Sequence, residues 1–164
     1  MIKIKKICSF YVSDWHMITM LLPHVNNAIN NKTKITTILE DDYKDKITML
    51  LSKLRLKNER QINRINWNKT INIENKSKEI LKNATNDEIN IIVAGDSDYI
   101  DKANNEIERY LLTKCTNINL KITIINCYNV EEIDVKEILN KHEGILNTSG
   151  EKSKQEFLKS LKIQ

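Results

Sequence analysis

At 164 residues, 40% of them hydrophobic and 29% charged, the chain has the size and balance of one globular domain with a real core. Its 26 basic and 22 acidic residues leave a net charge of +4 and are spread along the sequence, which argues against direct nucleic-acid binding, since such proteins gather basic residues on one face. No apolar run reaches the roughly 20 residues of a membrane span, and Cys8, Cys115 and Cys127, odd in number and without Cys-x-x-Cys spacing, exclude a disulfide framework and point to a reducing cytoplasm.

The densest basic run, Lys3-Ile4-Lys5-Lys6, has no apolar segment of the secretory kind behind it. Residues 7–12 (ICSFYV) form a continuous apolar run, expected of a strand covered on both faces. Ser13 or Asp14 can cap the helix that follows, in which Ile18, Leu21, Leu22, Val25 and Ile29 share one face. Pro23 is expected to kink or split that helix, because it removes a backbone donor. A second strand over 34–39 precedes a helix capped by Asp41 or Asp42, with Tyr43, Ile47, Leu50, Leu51 and Leu54 aligned. Residues 61–67 alternate loosely through Ile62, Ile65 and Trp67 and read as a strand, with Trp67 packed under a loop.

A helix over 73–84 follows, with Ile73, Ile80, Leu81 and Ala84 inward. Next come a strand over 89–94 and a helix over 99–112 on Ile100, Ala103, Ile107, Tyr110 and Leu111. A strand over 120–127, a helix over 130–141, a short strand near 145–147 and a terminal helix over 151–161 complete the pattern. With only three glycines and one proline, the loops should be short and built from Asn, Asp, Ser and Lys. Regular β–α alternation without linker or repeat predicts a single α/β domain over 1–164. It is a three-layer sandwich, with a mostly parallel sheet between helices.

Ligands in such sheets bind beyond the carboxyl ends of the strands. That rule selects Ser13-Asp14-Trp15-His16, Glu40-Asp41-Asp42, Gly95-Asp96-Ser97-Asp98 and Asn126-Cys127-Tyr128-Asn129. The turn after the first strand has no Gly and no Lys and bears a carboxylate, so it cannot cradle phosphates, and no Gly-x-Gly-x-x-Gly exists for a dinucleotide. Asp14, His16, Asp96 and Asp98 would converge on a metal only if the strands they follow are neighbours; otherwise Asp14 and Asp98 cap helices. Cys127 as a nucleophile would need His16 or His142 beside it, and its place at the end of an apolar strand favours a structural thiol. His24 has no partner visible in the sequence. Tyr11, Trp15 and Tyr128 either line a pocket at the carboxyl edge or cover the edge of the core.

The opening Ile7-Cys8-Ser9-Phe10-Tyr11, its acidic turn, and the helix ending in Leu22-Pro23-His24-Val25-Asn26-Asn27-Ala28-Ile29 resemble the start of the MEDS domain, the sensory module of DcmR-type regulators in methanogens and methylotrophs. Ile92-Val93-Ala94-Gly95-Asp96 resembles that family's apolar strand ending in Gly and an acid, and Asn126-Cys127-Tyr128 followed by a helix, His142 and Gly150 resembles its closing segment. The likeness spans roughly residues 6–150. The chain departs from the family pattern at Lys6, where His is common, at the adjacent Cys127 and Tyr128, and at Glu143, where Pro is frequent. The resemblance implies a RecA-like core without a working phosphate loop and a sensing or regulatory role.

The expectation is therefore a cytoplasmic, non-enzymatic sensory module with no cofactor. It binds an unknown small molecule or a signalling protein (a kinase or transcription regulator) at the carboxyl edge of the sheet, through Tyr11, Trp15, His16, Asp96, Cys127 and Tyr128. Two alternatives stand beside it. One is a Rossmann-like hydrolase or transferase with an Asp/His or Cys site. The other is a homo-oligomeric scaffold pairing through the terminal helix, where Phe157, Leu158 and Leu161 form a stripe.

Overall fold

The computed structural model describes residues 2–82, 87–113 and 119–162. Ala84, Cys115 and the side chain of Leu161 lie outside the described residues. Six strands form one sheet in the order β2-β3-β4-β1-β5-β6. They are β1 (Ile2–Tyr11), β2 (Lys34–Leu39), β3 (Glu88–Ala94), β4 (Leu120–Asn129), β5 (Gly144–Asn147) and β6 (Gly150–Ser153). The first five are parallel, as every β1–β4, β1–β5, β2–β3 and β3–β4 pairing runs in one direction. Only β6 pairs antiparallel, through a tight turn from β5 that needs Gly150 at φ +104.

Helices cover both faces, as expected. On one face α1 (Asp14–Asn30), α2 (Lys44–Leu51) and α3 (Glu59–Arg64) pack on Ile7, Leu39, Ile92, Ala94, Ile125 and Leu146. On the other α4 (Ile73–Lys82), α5 (Ser97–Thr113), α6 (Val135–Asn140) and α7 (Lys154–Lys162) lie over Cys8, Ile38, Ile91, Val93, Ile122 and Ile124. Alternate strand residues point to opposite faces, so continuous apolar runs feed two cores at once. This is why the β1, β3 and β4 runs do not alternate with polar residues.

Several local expectations are corrected. Residues 61–67 are not a strand. Ile62 and Ile65 stand three apart, which is helical spacing, and α3 carries Ile62 into the core. Trp67 is 1% exposed and fully packed, and its Nε1 donates to the Ile62 carbonyl at 2.8 Å. Pro23 does not split α1: it lies on the exposed outer side, as does Thr19, so the backbone bond it forfeits faces solvent.

The 130–141 segment is a single 3-10 turn (Val130–Glu132) and then α6, whose start is fixed by Asp134 Oδ1 accepting from the Lys136 and Glu137 amides. Residues 150–153 are β6 rather than helix, and α7 starts at Lys154. β1 begins five residues before the apolar run, so Lys5 and Lys6 sit in a strand, paired with Glu151 and Glu108. No helix among the described residues is long and apolar enough to cross a membrane.

Candidate functional site

The six residues expected at one carboxyl-edge site occupy four different places. Tyr11 and Cys127 belong to the buried cluster on the α1 face. Burial pushes the Tyr11 phenol far above its ordinary value, and it pushes the fully enclosed Cys127 thiol up to about 12. Cys8, buried on the opposite face, is likewise pushed up to about 12. Both remain thiols at neutral pH, so neither supplies a nucleophile. Tyr128 follows Cys127 in the strand and so faces the other layer, where its ring meets His142 edge-on at 5.8 Å.

Trp15 and His16 lie on the first turn of α1. Ser13 caps that turn by accepting from the His16 amide at 3.2 Å. His16 Nδ1 accepts from the Val12 amide at 3.1 Å, folding its ring over the strand–helix corner. Trp15 is 42% exposed, and Lys46 reaches over it, 5.9 Å from the ring centre, while pairing with Asp14 at 2.6 Å. Asp96 stands elsewhere, after β3: its carboxylate accepts from the Tyr99 amide at 2.7 Å and caps α5. The strands that Asp14 and His16, and Asp96 and Asp98, follow are not neighbours, since β4 lies between β1 and β3. Among the described residues no group of three His, Cys, Asp or Glu is placed to hold an ion.

Two of the cavities among the described residues lie by the strand ends and the buried amides. The first, of about 390 Å³, opens at the carboxyl ends of β2 and β3 between α4 and α5, and its lining includes Glu40, Lys69, Thr70, Tyr99, Lys102 and Glu106. Thr70 builds its rim, donating its amide to the Leu39 carbonyl at 2.8 Å and accepting from the Leu39 amide at 3.0 Å. Glu40 Oε1 accepts from the Asp96 amide at 2.9 Å, tying the β2 loop to the β3 loop. Tyr99 Oη is screened from solvent and meets no partner of hydrogen-bonding geometry. Burial raises this phenol to about 12, although the Thr70 hydroxyl draws it partly back.

The second cavity, of about 290 Å³, lies between α5 and α6 over β4 and β1. It exists because α6 has only six residues, roughly 9 Å of helix, against ten-residue strands of roughly 33 Å. Beneath it Asn104 (6% exposed), Asn126 (1%) and His142 (5%) form one chain of hydrogen bonds. Asn104 Nδ2 donates to the Ile100 carbonyl and to Asn126 Oδ1, both at 2.8 Å. Asn126 Nδ2 donates to Asn104 Oδ1 at 3.1 Å and lies 3.0 Å from His142 Nε2. His142 Nδ1 lies 2.6 Å from the Ile138 carbonyl, which can only accept. The ring is therefore the neutral Nδ1–H form, and burial holds its pKa below the ordinary value. A similar pair sits on the opposite face: His24, which has a partner after all, meets Asn90 at 3.1 Å, and burial lowers it too.

Asn90 and Asn104 were not expected at any site, and Asn126 was selected only as part of the segment that ends β4. Their signal was present: each is a lone amide inside an otherwise apolar strand or helix face. Tyr99 carried no signal, since its burial depends on contact with the β2–β3 loops.

Comparison with known proteins gives no match. No protein-family model, no curated protein and no solved structure aligns with the chain.

Proposed function

We propose that the chain is a non-enzymatic sensory or regulatory module that takes up a small polar molecule in the cavity at the carboxyl ends of β2 and β3 and reports its occupancy to a signalling protein. The observation that carries this reading is the cavity itself, at the edge where parallel sheets hold ligands, walled by Tyr99, whose screened hydroxyl has only the Thr70 hydroxyl acting on it. Lys69, Lys102, Glu40 and Glu106 offer both signs of charge around it, which suits a polar or zwitterionic molecule better than an apolar one.

The non-enzymatic part is supported by the state of the reactive groups. Both described thiols are buried and protonated, His16 is held by the Val12 amide, and His142 is enclosed by Asn126 and Ile138. The Gly95-Asp96 loop, part of the likeness to the MEDS family, is tied to the cavity wall through Glu40 and fits the sensory reading.

The test is native mass spectrometry of the protein purified from its own cells, with Tyr99→Phe and Lys102→Ala alongside. A retained small molecule, lost at least tenfold in both variants while the melting temperature holds, supports the reading. A molecule retained equally by all three proteins overturns it. So does the absence of any retained molecule together with Tyr99 ring signals unmoved by a panel of polar metabolites.

A further inference from the structure

We propose that Asn104, Asn126 and His142 form a proton-operated relay that sets the first half of α5, and through it Tyr99 at the wall of the carboxyl-edge cavity. The relay stands by itself; only its role in regulating ligand uptake rests on the function proposed above.

The chain is anchored at both ends by main-chain carbonyls, Ile138 beyond the imidazole and Ile100 beyond Asn104. With neutral His142, every hydrogen between those ends meets an acceptor: Nδ1–H points at Ile138, bare Nε2 takes a hydrogen from Asn126, and the two amides bond reciprocally. A proton added to Nε2 faces the Asn126 amino group, donor against donor. Turning the Asn126 amide relieves that contact but sets its amino group against that of Asn104. Turning Asn104 as well sets its carbonyl oxygen against the Ile100 carbonyl. The conflict moves along the chain and does not vanish, so it is resolved only by moving α5 or the α6 end. Buried groups left unpaired carry a real cost, which makes the relay two-state in character.

The surroundings decide how easily the proton arrives. Lys6 from β1 and Lys141, just after α6, oppose an imidazolium, and Asp101 from α5 favours it. Tyr128 from β4 presents its ring edge-on, and Glu108 of α5 partly neutralises Lys6. Glu143, next in sequence, is exposed, and its amide is tied to the Lys6 carbonyl at 2.8 Å. Burial weighs most against the charge. Tyr99 and Asn104 stand five residues apart on α5, less than one and a half turns, so a shift at one end of this segment reaches the other.

The experiment is an NMR titration of the ligand-free wild-type protein from pH 7.5 to 4.5, so that failure to find a cavity ligand leaves the readout untouched. The expected result is a His142 midpoint below the ordinary 6.5. The side-chain amides of Asn104 and Asn126, the α5 main chain from Ser97 to Asn104 and the Tyr99 ring should move with that midpoint while β2 and β3 hold still. In Asn104→Leu, His142 should still titrate but α5 should stop following; in His142→Gln the α5 response should be flat. The proposal is overturned if α5 stays still while His142 titrates in the wild type, if the whole sheet melts with the same midpoint, or if either variant responds like the wild type.

Discussion

Gly95 and Tyr99 approach so closely that a methyl group on Gly95 would stand 2.7 Å from Cδ1 of the ring, and 3.0 Å from Cβ of Glu40. The β3 loop, the β2 loop and the first turn of α5 therefore share one tight junction, and that junction positions the phenol of the proposed ligand site. Gly95→Ala should displace the ring and destabilise the fold by about 1–3 kcal/mol, the usual range for overpacking. Urea denaturation checks the energy. A Tyr99 ring signal identical to wild type would show that the contact is looser than its geometry.

Asn126 should matter more than any surface ion pair. Asn126→Leu removes two donors and an acceptor, leaving the Asn104 amide and His142 Nε2 unpaired in the interior. The expected loss is about 3 kcal/mol. Asn104→Leu combined with Asn126→Leu should recover part of it, because fewer buried groups then lack partners. A double variant as unstable as the sum of the singles would contradict the pairing.

The Lys46–Asp14 pair offers the contrast. At 2.6 Å it is shorter than most contacts here, but both side chains are 40% exposed. Lys46→Met should cost no more than about 1 kcal/mol, and less in high salt. A larger, salt-insensitive loss would mean that Lys46 acts chiefly through its contact with Trp15.

Acid should weaken the fold through its two enclosed histidines. Burial holds both His24 and His142 below the ordinary 6.5, so folding favours their neutral forms. The unfolded chain binds protons near 6.5 and the folded one at lower pH. Their contribution is thus complete above about 6.5 and declines as pH falls from there toward the folded midpoints, with a slope for His142 of up to about 1.4 kcal/mol per pH unit. Urea midpoints at pH 7.5, 6.0 and 5.0 measure it, and His142→Gln should flatten the slope. An unchanged slope in that variant would assign the acid response elsewhere.

Trp67 closes the α1 layer with its indole hydrogen on the Ile62 carbonyl. Trp67→Ala should cost about 3–5 kcal/mol. Trp67→Phe should lose less, since it keeps most of the packing and forfeits only the ring difference and one bond. Comparable losses in the two would show that the hydrogen bond outweighs the packing.

The sheet and its two helical layers were legible in the sequence because the apolar runs at 7–12, 91–94 and 122–127 suit strands covered on both sides. Elements that depend on a partner were not. Ile62, Ile65 and Trp67 fit either period until the floor of α1 selects the helix. Residues 150–153 carry few apolar side chains, and they become a strand only because β5 offers an edge. The grouping at the carboxyl edge failed for two reasons: alternation sends Tyr11 and Cys127 to one face and Tyr128 to the other, and β4 stands between β1 and β3, so the loop bearing Trp15 and His16 is not next to the loop bearing Asp96. Strand order is set by long-range pairing, which local patterns do not encode. The buried amides were visible as interruptions, but what they interrupt for depends on the helix packed above.

β1 pairs with β4 along its full length, from Ile2 against Leu120 to Tyr11 against Asn129, and then with β5 at Gly144 and Ile145. Of the strands of this sheet, the one translated first thus lies at its centre, and its neighbours arrive more than a hundred residues later. At the usual pace of translation that is a wait on the order of ten seconds. During that time ICSFYV has no native neighbour in the sheet, so the nascent chain should depend on holding factors, and slow, sequence-distant closure should limit how quickly it refolds alone.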